Sequence, residues 1–372
     1  MKHTVLCGID RTSDLRAVTE GKKTALLTAA SGVNKAGIPT YRILSEISDL
    51  RLLFAPEHGL ASAMQDGAFS KEEGVLHPET GARLYDITAL RGTDRLTELL
   101  REVDMAVYDI QDVGARFYTY ISTMHYIMEA CAENDVPLVI FDRPNPNIDC
   151  VAGPIREEKF KSFVSLDPIP VAYGMTAGEL AQMINGEGWL KDGVKCRLTV
   201  IPVKNYTRRS KYVLPVPPSP NLPDERSVRF YPFLCLFEAT KVSEGRGTYQ
   251  PFTALGYPDP AFGKYVFTPH DIEGMATNPK FNGQDCYGID LSEEPLYSEG
   301  GIFTLRHFMY FAKKIGSAKE MVDQPVGLAR LWGNDRLIEQ IDSGMTEDEI
   351  RALWQPDADK FLEARKPYLI YK

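Results

Sequence analysis

Short apolar runs alternate with amphipathic stretches through the first half of the chain. This rhythm predicts right-handed βαβ units and a parallel sheet. Residues 24–30 (TALLTAA) read as a first strand ending in the turn Ser31-Gly32-Val33-Asn34, and 40–48 as a short helix. Residues 50–55 (LRLLFA) form a second strand that runs into Pro56-Glu57-His58-Gly59. Residues 60–82 are polar, contain glycine and show no strong period, as in a long excursion or lid. A helix over 94–101, a strand over 105–110, a helix over 117–133 and a strand over 137–141 follow.

Three of these strands end in polar clusters: PEHG (56–59), DIQDVGAR (109–116) and DRPNPN (142–147). Parallel strands point the same way, so the three clusters converge on one edge of the sheet. In open α/β sheets that edge is where ligands bind. Two aspartates, a glutamine and an arginine within 109–116 are costly to desolvate unless they meet each other or a ligand, so a polar pocket is expected there.

After Cys150 the texture changes. Residues 176–185 read as a helix, with Thr176 and Glu179 spaced as a capping box, and 196–203 as a strand completing the first sheet. Five prolines, at 215, 217, 218, 220 and 223, make an extended, stiff connector. The boundary falls near them, giving a first domain over 1–215 and a second over 216–372, with helices at 305–315, 336–343 and 346–364. The fold class is α/β: a Rossmann-like parallel-sheet domain, then a smaller α+β domain, with a cleft between them.

Composition narrows the picture only a little. At 372 residues, 44% hydrophobic and 25% charged, the chain is an ordinary globular protein. A net charge of −9 argues against nucleic acid as a partner, and no apolar run reaches the ~18 residues of a membrane span. The N-terminus MKHTVLCGIDRTSD lacks the apolar core of a signal peptide. That points to the cytoplasm, or to a secreted or periplasmic site if a leader has been trimmed. The six cysteines are scattered without a CxxC pair and read as buried small hydrophobes. No metal or cofactor is expected. A nucleotide-dependent enzyme is a poor reading, because the first strand ends in AASGVNKAG rather than GxGxxG.

Several strings together resemble one family: LFAPEHGL (53–60), DIQDVGARFYTYISTM (109–124), DRPNP (142–146), YGMTAGELA (173–181), PPSPNLP (217–223), CLFEATKVSEGRGTYQPF (235–252) and RKPYLIY (365–371). They are similar to the exo-acting peptidoglycan β-N-acetylmuramidases, long known only as a domain of unknown function. The resemblance covers nearly the whole chain. It implies a two-domain fold with a cleft, and release of N-acetylmuramic acid from the non-reducing ends of peptidoglycan fragments. Two places depart from the usual pattern: Glu238-Ala239-Thr240-Lys241 replaces EGTN, and Ala61-Ser62-Ala63 replaces an arginine and glycine after PEHGL. The competing reading is a non-catalytic muropeptide- or sugar-binding protein.

Glycoside hydrolysis needs a proton for the leaving oxygen and negative charge for an oxocarbenium-like transition state. Glu57, just past a buried strand and half-sheltered from water, is the expected general acid. Asp112 and Glu244 are the further catalytic candidates, with Glu244 or Glu238 the carboxylate facing Glu57 across the cleft. Arg116 is expected to clamp a substrate carboxylate bidentately, with an internal pair to Asp112 as the alternative. His58, Asp109, Tyr118, Arg143, Asn145, Ser219, Asn221, Glu238 and Arg246 complete the expected sugar-binding set. Gly245 and Gly247 would let a ligand approach the backbone. A substrate acetamido group acting as nucleophile would reduce the need to one acid and one orienting carboxylate.

Overall fold

The computed structural model describes residues 4–57, 59–60, 74–298 and 301–372. Its centre is a seven-stranded sheet made of β1 (Lys23–Thr28), β2 (Asp49–Ala55), β3 (Val75–Leu76), β4 (Arg83–Asp86), β5 (Met105–Asp109), β6 (Leu138–Phe141) and β9 (Leu198–Ile201), in the order β3-β4-β2-β1-β5-β6-β9. All neighbours are parallel except the edge strand β3, which runs antiparallel to β4. Alternate residues serve opposite faces. Ala25, Leu27, Ala106 and Tyr108 join the larger core, while Leu26, Leu53, Val107 and Val139 join a second core beneath Leu44 of the helix Thr40–Ile47. Burial on both faces explains why these strands read as unbroken apolar runs.

β2, β1, β5 and β6 are adjacent and parallel, so Pro56-Glu57, Asp109–Arg116 and Asp142–Asn147 do meet on one edge. A two-stranded ribbon, β7 (Val151–Ala152) with β8 (Ala172–Tyr173), lies next to it. After the helix Glu225–Leu234, the second domain carries a three-stranded antiparallel sheet of β10 (Ala254–Tyr257), β11 (Tyr265–Phe267) and β12 (Cys286–Asp290), with β12 central. The helices Arg306–Ile315, Pro325–Trp332, Leu337–Asp342 and Glu347–Ala364 complete it.

The two domains share one continuous core: Met124 and Tyr173 from the first belong to the same cluster as Phe237 and Trp332 from the second. Arg229 pairs with Asp149 across the junction at 2.5 Å, and Asn147 Nδ2 donates to Val228 O at 3.0 Å. Such a large apolar junction holds the domains in a fixed relation.

The expected elements match to within a few residues. The helix after β5 starts at Tyr120, three residues later than its apolar period suggests. The capping box at Thr176 and Glu179 is present. β4 and the helix Glu225–Leu234 were not legible: the first is only four residues long, and the second hides behind the proline-rich connector, capped by Asp224. All six cysteines are buried and free. Residues 61–73 of the expected excursion lie outside the described residues.

Candidate active site

The reversal of strand order between β1 and β5 is where an open α/β sheet normally opens a crevice. Here the protein fills that crevice itself. Arg143 meets Asp109 bidentately, with Nε to Oδ1 at 2.5 Å and Nη2 to Oδ2 at 2.9 Å, and Nη2 also donates to Val33 O at 2.8 Å. The Thr40 hydroxyl donates to the same carboxylate. A Cβ on Gly32 would collide with Thr28 Oγ1 and stand 2.8 Å from Asp109 O. Asp109 and Arg143 are both buried, so this pair is a plug between strands; the expectation that they bind substrate is corrected.

Asp112 and Arg116 are likewise turned inward, and not toward each other. Asp112 Oδ2 accepts from Gly114 N at 2.7 Å and from the Tyr173 hydroxyl, while Oδ1 is buried without a partner. Burial pushes its pKa up to about 6, against the pull of those hydrogen bonds. Arg116 Nη1 donates to Pro154 O at 2.8 Å and Ile169 O at 2.5 Å, and Nη2 to Leu331 O at 2.9 Å. Burial, with Arg156 adding to it, brings its pKa down to about 9. A guanidinium that ties three main-chain carbonyls inside the protein cannot clamp a ligand, so both the clamp and the internal pair are corrected.

Other candidates also serve the scaffold. Asn145 Nδ2 donates to Met175 O at 2.7 Å, and its Oδ1 accepts from Asn147 N at 2.7 Å. Tyr118 is buried and donates to Pro218 O at 2.8 Å. Ser219 Oγ accepts from Asn221 N at 3.3 Å in a tight turn. His58 lies outside the described residues.

Glu57 differs from its neighbours. Asp109, Asp112 and Asp142 are buried, whereas Glu57 retains partial exposure at the tip of β2. Thr119 Oγ1 donates to its Oε2 at 2.8 Å. The Tyr120 phenol, pushed up to about 12 mainly by burial, also feels the Glu57 charge, which places that carboxylate near the Tyr118–Tyr120 pair. Tyr118 and Tyr120 both donate to Pro218 O, at 2.8 and 3.3 Å. Three residues beyond Pro218, Asn221 lines a cavity of about 830 Å³. Glu57 is not among the residues that line this cavity; it is connected to it through Thr119, the Tyr118–Tyr120 pair and the turn from Pro218 to Asn221.

Apart from Val164, the rest of the cavity comes from the second domain, including Glu238, Glu244, Arg246, Lys280 and Arg330. Arg246 Nη2 lies 2.6 Å from Glu238 Oε1, and Nε 3.8 Å from Glu244 Oε1. Lys280 Nζ donates to Glu244 Oε2 at 2.9 Å and to the carbonyls of Phe237 and Val242. Glu244 is buried and held by Lys280, whereas the Glu238 side chain is 31% exposed. Partial desolvation raises the pKa of Glu238, with Arg246 opposing. Burial alone would lower the Arg246 pKa, but Glu238 and Glu244 more than reverse it.

Backbone strain marks the same place. Phe252 is buried at φ 56°, a rare conformation for a bulky residue. Its amide donates to Glu244 O at 2.7 Å, and its ring carries the Arg246 guanidinium at 5.6 Å. Gly245 and Gly247 sit at φ 80°, and a Cβ there would come within 2.5 Å of Gln250 O and 2.4 Å of Pro279 Cγ respectively. What approaches these glycines is the protein's own chain, so the expected ligand approach is corrected. Thr119, Lys280 and Arg330 escaped the sequence reading. Thr119 stands in an apolar aromatic run, and the other two lie in segments without a motif.

Fold and site define a two-domain α/β protein with a half-exposed acid, Glu57, at a strand end of the first domain and a charged cavity lined mainly by the second. The chain belongs to the exo-β-N-acetylmuramidase NamZ family: residues 24–226 match the model of its N-terminal part and 229–371 that of its C-terminal part. It is 34% identical to the peptidoglycan β-N-acetylmuramidase NamZ of Bacillus subtilis (strain 168), over 100% of this chain and 92% of that protein. Crystal structures of two DUF1343 family proteins from Bacteroides fragilis are similar to it. One has a TM-score of 0.88 at 36% identity, covering 100% of this chain and 99% of the other. The second has a TM-score of 0.82 at 26% identity, covering 99% of both.

Proposed function

We propose that this protein is an exo-acting β-N-acetylmuramidase that releases N-acetylmuramic acid from the non-reducing ends of peptidoglycan fragments, with Glu57 as the general acid. The observation that carries the assignment of Glu57 is its contrast with the other strand-end acids. Asp109, Asp112 and Asp142 are buried in internal contacts, and the half-exposed Asp86 at the end of β4 caps the next turn by accepting from Thr88 N and Oγ1, whereas Glu57 is half-exposed with one oxygen held by Thr119. The hydroxyl fixes one carboxyl oxygen, and the other is left to deliver a proton to the glycosidic oxygen. Glu238, polar, partly exposed and paired with Arg246, is the better placed second carboxylate, and Glu244 holds the loop through Lys280. Glu238 either stabilises positive charge at the anomeric centre or orients a substrate acetamido group that attacks it. Asn221, which also lines the cavity, offers its unpartnered Oδ1 to a sugar hydroxyl.

The test is incubation of the purified protein with a disaccharide of N-acetylmuramic acid β-linked to N-acetylglucosamine, with mass-spectrometric detection of products. Release of both monosaccharides supports the assignment. Binding without cleavage would instead identify a non-catalytic sugar-binding protein.

A further inference from the structure

N-acetylmuramic acid carries a lactyl carboxylate that N-acetylglucosamine lacks. Bringing that charge into a cavity is costly unless a cation meets it. With Arg116 turned inward, the cation must come from elsewhere. The described cations lining the cavity are Arg246, Lys280 and Arg330. Arg246 faces Glu238 at 2.6 Å, and Lys280 is held by Glu244 and two carbonyls. Arg330 is exposed and, among the described residues, has no ion-pair or hydrogen-bond partner.

Its setting is firm although its side chain is free. Gly327, Arg330 and Leu331 line the cavity from one face of the helix Pro325–Trp332, and the helix's N-cap residue Gln324 lines it too. Arg116 fixes the end of that helix through Leu331 O at 2.9 Å, and Glu157 N donates to Gly333 O at 2.9 Å just beyond it. Asn221, which also lines the cavity, is buried; its Nδ2 donates to Met275 O at 2.8 Å and its Oδ1 is unpartnered.

We propose that Arg330 receives the lactyl carboxylate and thereby sets the preference for N-acetylmuramic acid over N-acetylglucosamine. This rests on the function proposed above. The guanidinium presents a planar fork of donors that matches a carboxylate, while the mounted helix holds it at the cavity wall.

The experiment compares wild type, Arg330→Ala and Arg330→Lys on p-nitrophenyl N-acetylmuramide, on the same substrate with its carboxylate converted to an amide, and on p-nitrophenyl N-acetylglucosaminide. Thermal melts accompany each variant. Arg330→Ala is expected to lower kcat/KM on the muramide by roughly tenfold to a hundredfold, mostly through KM, the scale of one charge-assisted contact. It should change the amide little, and lysine should restore part of the loss. Equal losses on acid and amide, or no loss on either, overturn the proposal. Calorimetry with free N-acetylmuramic acid and N-acetylglucosamine reads the same residue without turnover. If the wild type prefers the acid and Arg330→Ala does not, Arg330 stands even if turnover is absent and only the hydrolase reading falls. A wild type without that preference, or a variant that keeps it, overturns the role of Arg330.

Discussion

The Thr119 hydroxyl holds Glu57 Oε2 at 2.8 Å, and this contact ties the start of the long helix after β5 to the tip of β2. A carboxyl group held on one side presents its other oxygen in a restricted direction, which general acid catalysis requires. Thr119→Val should lower kcat by roughly tenfold with little change in melting temperature, because the helix begins beyond it and the methyl groups fill the same volume. Steady-state kinetics and a thermal melt on the same preparation check both halves of this expectation.

Arg116 is predicted to matter for stability. Replacing it with methionine leaves the carbonyls of Pro154, Ile169 and Leu331 without their donor. The expected cost is about 3–5 kcal/mol, read by urea unfolding. An unchanged midpoint with a raised KM would mean that the guanidinium serves the ligand after all.

Asp109→Ala should be comparably damaging, at about 3–5 kcal/mol, because it strands the buried Arg143 charge between β5 and β6. The double variant Asp109→Ala with Arg143→Met should recover much of that loss. Urea midpoints for the two singles and the double complete the cycle, and strict additivity would contradict the pairing.

These two residues also show where sequence reading stops. Apolar runs and their polar ends made the parallel sheet and its functional edge legible, because strand direction alone brings the ends together. Which polar group faces a ligand was not legible. Asp109 and Arg143 meet each other, Arg116 meets main-chain carbonyls, and Asp112 meets Gly114 N and the Tyr173 hydroxyl through one oxygen only. Most of their partners, Thr40, Tyr173 and the carbonyls, lie 30 or more residues away. Glu57 and the group Glu238, Glu244 and Arg246 could be singled out because short glycine- or proline-containing strings carry them. Lys280 and Arg330 act through tertiary placement, and no local pattern announces them.

His125 gives a pH-dependent prediction. Its Nδ1 lies 2.8 Å from Asp167 Oδ1 and its Nε2 3.2 Å from Glu129 Oε1. Burial alone would lower its pKa, but the two carboxylates hold it up to about 9, above the free value of 6.5. The protonated ring therefore stabilises the fold fully below about pH 6.5, and this contribution disappears as pH rises through about 9. The stability difference between wild type and His125→Gln should shrink by on the order of 2–3 kcal/mol across that window. Urea midpoints at pH 6, 7.5 and 9.5 measure it, and a difference that does not change with pH would contradict a charged His125.

The most direct measurement is the leaving-group dependence of Glu57→Gln. Its turnover is compared with wild type on the β-linked disaccharide and on an N-acetylmuramide with an activated dinitrophenyl leaving group. The disaccharide oxygen needs a proton, and the dinitrophenolate leaves without one. We predict a loss of roughly a hundredfold or more on the disaccharide and a much smaller loss on the activated substrate. Equal losses on both, or none on either, would contradict Glu57 as the general acid.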